Sequence, residues 1–239
     1  RTKEDYGYFG EPDGNRAVLE DLHAVTTLTK QLYPGVPYFL LGHSMGSYLL
    51  RRYLSVYGGG LSGAVIMGTG ANPDAVAKLG MAVCKAIAAF KGWKYRSPFM
   101  EKLFFSGDFQ KFDMDGTHPE NSWLTKDTEI VRFYYSEPRC TFKFTLKAYY
   151  DFLKTVYYVN RKENVEKIPK DLPILMVAGD CDPVGEFGKA VKRVYEMYKA
   201  AGINDVTLKL YENDRHEILN ETDKERVFDD IFNWCESRQ

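Results

Sequence analysis

Cysteine is sparse and unpaired in pattern: Cys84, Cys140, Cys181 and Cys235 stand far apart, and no Cys-x-x-Cys occurs. That excludes the usual zinc and thioredoxin signatures and any disulfide framework of the small secreted kind. Scattered thiols of this sort point to a reducing, cytoplasmic setting. Charge of one sign is missing too. Lys and Arg number 32 against 33 Asp and Glu, so the net charge of −1 gives no electrostatic case for nucleic acid or an anionic membrane surface. No apolar run approaches the roughly 18 residues of a transmembrane helix. No Gly-x-Gly-x-x-Gly or phosphate loop is present, and no His or Glu cluster accompanies the Asp180/Asp182 pair. Neither a cofactor nor a metal is therefore expected. Internal repeats and low-complexity segments are also absent.

What the chain does have is aromatic side chains, at 15% of 239 residues, many of them in its middle third. The length suits one large α/β domain or a domain with an insertion. The most informative stretch is Tyr38-Phe39-Leu40-Leu41-Gly42-His43-Ser44-Met45-Gly46-Ser47. Four apolar residues run into Gly-x-Ser-x-Gly, and an apolar helical pattern follows through Tyr48, Leu49, Leu50 and Tyr53. A bare Gly-x-Ser-x-Gly occurs often by chance; strand, turn and helix together make it a nucleophile elbow. Ser44 must then occupy a strained turn that lifts its hydroxyl above the sheet edge. Gly42 and Gly46 are expected to let strand and helix approach closely. The Met45 N–H opens the helix, where developing negative charge is stabilised.

The remaining elements follow in order. Residues 1–12 read as a loop, and Asp13 as the N-cap of a helix whose apolar stripe is Val18, Leu22, Val25 and Leu32. The uninterrupted run Pro37–Gly42 implies a strand buried on both faces with parallel neighbours on both sides. One helix and one loop precede it, so amino-terminal strands of the fold are expected to lie outside this sequence. Ala64–Gly68 is a second buried strand. Residues 73–168 abandon the strand–helix alternation and read as an aromatic-rich helical insertion, a cap over a site. The alternation resumes with a buried strand at Pro173–Gly179 and an alternating, edge-type strand at Val206–Tyr211. Thr222-Asp223-Lys224-Glu225 reads as a capping box opening the last helix. The expected division is core 1–72, cap 73–168, core 169–239.

Ligands of open α/β sheets bind beyond the carboxyl ends of the strands. Three polar groups leave such ends: Ser44, the Asp180/Asp182 pair and His216. In these roles His216 takes the Ser44 proton, and an Asp holds its tautomer and stabilises the imidazolium. Asp182, followed by the turn-fixing Pro183, is favoured as that acid, with Asp180 as a turn residue. Three other histidines are read as structural: His23 on a helix surface, His43 as packing support pointing away from Ser44, and His118 in a polar loop.

The chain resembles the α/β-hydrolase superfamily, and within it the bacterial monoacylglycerol lipase-like and lysophospholipase-like serine hydrolases. The resemblance rests on Gly42–Ser47, on Gly179-Asp-Cys-Asp-Pro-Val-Gly185 and on Arg215-His216-Glu217. Ser122–Asp127, Cys140–Thr145 and Gly7-Tyr8-Phe9 with Asp13-Gly14 add to it, and the match covers essentially the whole chain. It implies a mostly parallel sheet with helices on both faces and a helical cap insertion. It also implies Ser44, Asp182 and His216 as catalytic residues, and release of a fatty acid from a monoacylglycerol or lysophospholipid through an acyl-enzyme. The family carries a His-Gly-rich loop that supplies the second oxyanion N–H beside Met45; no segment here matches it. Two other functions share these residues: an esterase or amidase for small non-lipid substrates, and a non-catalytic ligand-binding module.

Overall fold

Four strands pair in chain order into one parallel sheet, β1 (Phe39–His43), β2 (Gly63–Met67), β3 (Ile174–Gly179) and β4 (Val206–Tyr211). This is a computed structural model, described from residue 2 to residue 238. Arg1, at the start of the expected opening loop, and Gln239 lie outside the described residues. The register sets His43 beside Met67, Met67 beside Val177 and Gly179 beside Tyr211, so these strands finish close together.

Side-chain alternation divides the sheet into two apolar faces. Ile66, Ile174, Met176 and Ala178 pack with Leu50 and Leu54 of α2 (Met45–Tyr57) and Val191, Val194 and Tyr198 of α8 (Lys189–Ala200). Val65, Met67, Leu175 and Val177 pack with Val227 and Trp234 of α9 (Lys224–Glu236). Helices thus cover both faces, as expected. Between β2 and β3 runs the helical insertion: α3 (Asp74–Lys91), α4 (Pro98–Phe104), α5 (Thr128–Ser136), α6 (Leu146–Val159) and α7 (Lys162–Val165). Tyr149, Phe152, Leu153 and Val156 of α6 build a separate core with Cys84 and Ala88 of α3, and Tyr48 joins it from α2. Among the described residues no helix is long and apolar enough to cross a membrane.

The structure corrects four local expectations. First, among the described residues β1 pairs with β2 alone and Leu41 is 46% exposed, so the two-sided burial expected of this strand is not met within this sequence, where its second neighbour was not expected either. Its apolar run measures composition, whereas burial needs a partner strand. Second, α1 (Gly14–Leu32) buries Asn15, Leu19 and Thr26 and leaves Val25 and Leu32 more than half exposed. The Asn15 amide explains the rotation: it donates to the Asp151 carbonyl (2.8 Å) and to the Thr155 hydroxyl of α6, which fixes the facing side. Third, Asp13 is the N-cap of α1 but its carboxylate accepts from Lys154 at 2.9 Å rather than from the helix backbone. Fourth, the capping box at 222–225 does not form; Asp223 precedes α9 with no side-chain cap bond and pairs with Arg226 at 2.8 Å. The alternating strand β4 does lie at an edge, as its pattern predicts.

Candidate active site

Ser44 joins β1 to α2 with φ 54° and ψ −123°, a backbone that non-glycine residues rarely adopt. Its N–H donates to the Met67 carbonyl (3.0 Å), and its own carbonyl accepts from the Ser47 N–H (2.9 Å) and hydroxyl (2.6 Å). The turn is tight because a Cβ at Gly42 would collide with the Gly46 carbonyl oxygen. A Cβ at Gly46 would meet nothing within 4 Å, so only one of the two glycines is required by close approach. Met45 is the first residue of α2, where backbone N–H groups lack acceptors in a preceding turn.

The loops after β3 and β4 are sewn together. Asp180 N–H donates to Tyr211 O (3.0 Å), Cys181 N–H to Asp214 O (2.9 Å), and Asn213 N–H to the Asp180 carboxylate (2.8 Å). Asp180 is thus a turn residue. Asp182 is fully buried and divides its carboxylate between two donors: Oδ1 accepts from the Val184 N–H at 2.8 Å, and Oδ2 lies 2.9 Å from His216 Nδ1. Nε2, the other ring nitrogen of His216, is buried without a hydrogen-bond partner.

The imidazole lies over the end of β2. A Cβ at Gly68, which has φ +58°, would stand 3.1 Å from His216 Cε1 and 3.3 Å from His43 Cδ2. Ser44 is held to Met67, the preceding residue, so the elbow and the His216 ring meet the same strand end. Asp182 and His216 are in direct contact, and the Ser44 backbone is bound to Met67, the residue before the Gly68 on which the His216 ring lies. His43 is not a bystander: its ring centroid is 4.6 Å from that of His216. Burial first, and His216 second, push His43 down to about 4. His23 is stacked on Tyr57 at 3.8 Å with Nδ1 3.1 Å from the Tyr53 hydroxyl. His118 is exposed beside Glu120.

The contacts that the insertion makes with the histidine loop escaped sequence reasoning. Trp123, from the insertion, stacks on the His216 ring at 5.0 Å and 30°, and its carbonyl accepts the His216 N–H at 3.3 Å. Leu124 O accepts the Glu217 N–H at 2.7 Å, and the Arg215 guanidinium donates to the carbonyls of Glu120 (3.0 Å), Ser122 and Thr125. Segment 120–125 therefore straps the histidine loop. Beneath it, fully buried Glu221 accepts from the backbone N–H groups of Lys126 (3.0 Å) and Arg215 (2.8 Å), and Lys126 Nζ donates to buried Asp214 at 2.8 Å. Trp123 belonged to a segment singled out in the sequence, but nothing local told that it would face a histidine 93 residues later.

Comparison with known proteins agrees with this architecture. A family model described as serine aminopeptidase, S33, matches residues 3–223. The monoacylglycerol lipase of Mycolicibacterium smegmatis is 26% identical over 223 residues, covering 92% of this chain and 69% of the lipase. Human monoglyceride lipase is 25% identical, covering 98% of this chain and 72% of its own length. Among solved structures, a thermostable carboxyl esterase from Bacillus coagulans in complex with glycerol superposes with a TM-score of 0.83 at 28% identity, over 94% of this chain and 72% of the esterase. With a strand–elbow–helix at one sheet end, a parallel sheet covered on both faces and a family match over most of its length, the chain belongs to the serine aminopeptidase S33 family of α/β hydrolases.

Proposed function

We propose that this chain hydrolyses carboxylic esters of the monoacylglycerol or lysophospholipid class through an acyl-enzyme on Ser44. Ser44 Oγ attacks the ester carbonyl carbon while His216 Nε2 takes the hydroxyl proton. The oxyanion of the tetrahedral intermediate is met by the Met45 N–H at the start of α2. Collapse breaks the ester C–O bond, and His216 returns the proton to the departing alkoxide. Water then attacks the acyl-enzyme with His216 again as base, freeing the fatty acid and Ser44. Asp182 keeps Nδ1 protonated, so that Nε2 is the basic nitrogen, and stabilises the imidazolium. The observation that carries this reading is the buried Asp182–His216 pair at 2.9 Å: the His216 ring lies against Gly68, next to the Met67 that binds Ser44, and its Nε2 has no partner.

A lipid substrate is supported by a chain of ring contacts that leads from His216 to α2: Trp123 (5.0 Å), Phe105 (6.1 Å), Phe104 (6.1 Å), Phe152 (5.7 Å) and Tyr48 (5.2 Å). An apolar aromatic insertion contiguous with the His216 ring suits an alkyl chain better than a charged peptide. The names of the relatives, two acylglycerol lipases and a carboxyl esterase, point the same way. Four free thiols fit a cytoplasmic enzyme. A fluorophosphonate probe is expected to label Ser44 in the wild type and not in Ser44→Ala; an unlabelled, folded wild type overturns the enzyme. A substrate panel sets the class. Long-chain monoacylglycerols and lysophospholipids should exceed acetyl esters and aminoacyl amides in kcat/KM, and a reversed order rejects the lipid assignment.

A further inference from the structure

His43 has no part in the scheme above, yet the structure gives it a specific bond. It immediately precedes Ser44, and its Nε2 lies 3.0 Å from the backbone carbonyl oxygen of His216. A carbonyl can only accept, so Nε2 carries the proton and donates, leaving Nδ1 bare. The His216 backbone is thereby held from two directions. Its N–H is bound by the Trp123 carbonyl of the insertion, and its carbonyl by the residue beside the nucleophile. Its ring is likewise flanked by Trp123 at 5.0 Å and by His43 at 4.6 Å.

We propose that His43 is a positioning residue that ties the catalytic base to the nucleophile turn through the His216 carbonyl. The inference rests on the roles given above to Ser44 and His216. Its physical content is mechanical: His43 and Ser44 are consecutive residues at the start of one strained turn. Any displacement of the elbow therefore carries the His216 anchor with it, and the separation of base and nucleophile is kept. Burial keeps His43 uncharged near neutral pH, so the tie adds no positive charge beside an imidazolium. Simple packing support would need only a ring of the right size, and that difference is measurable.

His43→Phe keeps a ring and loses the donor. His43→Gln loses the ring and keeps an uncharged N–H donor of similar reach. Turnover of a monoacylglycerol is measured for both, with fluorophosphonate labelling and thermal unfolding alongside. His43→Phe is expected to lower kcat roughly 10- to 100-fold, the scale of a misplaced catalytic group, with KM within about twofold. His43→Gln should recover to within about threefold of wild type. Wild-type turnover by His43→Phe, or a Gln variant as slow as Phe, overturns the inference while Ser44 still labels. A wild type that neither labels nor turns over removes the catalytic reading, and this inference with it. Should His43→Phe fail to fold, His43→Asn, whose amide stops short of the carbonyl, replaces it in the same comparison with Gln.

Discussion

Ser44, the proposed nucleophile, is placed mostly by backbone groups, whereas His216, the proposed base, is placed by side chains and carbonyls from three distant segments. Ser44 needs a positive φ, one glycine upstream and a helix starting behind it, all within ten residues, and one backbone bond to Met67 of β2. His216 needs Asp182 from the loop after β3, His43 from the elbow and Trp123 from the insertion. The first arrangement is local and stiff. The second is assembled only when the whole chain has folded, so damage to it can come from far away in sequence.

The largest test of this contrast lies within the acid loop. Asp182→Asn should cut kcat by roughly 10⁴ by favouring the wrong imidazole tautomer. Asp180→Asn, which loses only the bond from the Asn213 N–H, should cost less than about tenfold. Equal losses in steady-state kinetics would dissolve the distinction between the two carboxylates. Next comes the elbow itself. Gly42→Ala sets a Cβ against the Gly46 carbonyl and should destabilise by about 3 kcal/mol, the upper end for overpacking. Gly46→Ala, facing open space on a helix, should be neutral or stabilising by up to about 1 kcal/mol. Urea unfolding of the two variants compares them directly.

A third test uses acid. His43 has a folded value of about 4 against an ordinary 6.5. Between those values the unfolded chain binds a proton that the folded chain refuses, so stability is full above about pH 6.5 and is lost as pH falls toward 4. The ceiling is about 3 kcal/mol. Because carboxylates titrate in the same range, the informative quantity is the difference from His43→Gln, whose stability should fall less steeply between about pH 6.5 and pH 4. Parallel curves would mean that His43 is protonated in place. The smallest effect is expected at the strap: Arg215→Lys keeps the charge but cannot reach the three carbonyls at once. It should lower kcat less than about tenfold without moving the pH optimum, and a larger loss in turnover assays would make the strap more than a support.

The same division explains what could be read from sequence. The elbow was legible because its determinants are contiguous. Residues that leave strand ends were legible as candidates because strand ends in a parallel sheet converge, and the alternation of β4 marked its edge position. Asp182 needed only a local argument from Pro183 to be preferred over Asp180. What failed depended on partners. The buried side of α1 turned on Asn15 meeting α6, which no periodicity of Val25 and Leu32 could reveal. The burial of β1 turned on a neighbour that its own apolar run could not supply. His43 was expected to be packing support, but its bond to a carbonyl 173 residues away was invisible.

The strap at 120–125 has a consequence for chimeras. Residues 73–168 look like an exchangeable module, inserted between two strands and carrying a core of its own. Yet Glu120, Ser122, Trp123, Leu124 and Thr125 give their carbonyls to the histidine loop. In a graft from a relative, this segment belongs with the host. Splice points that leave residues 120–126 in place keep His216 in its seat while the rest of the module is replaced.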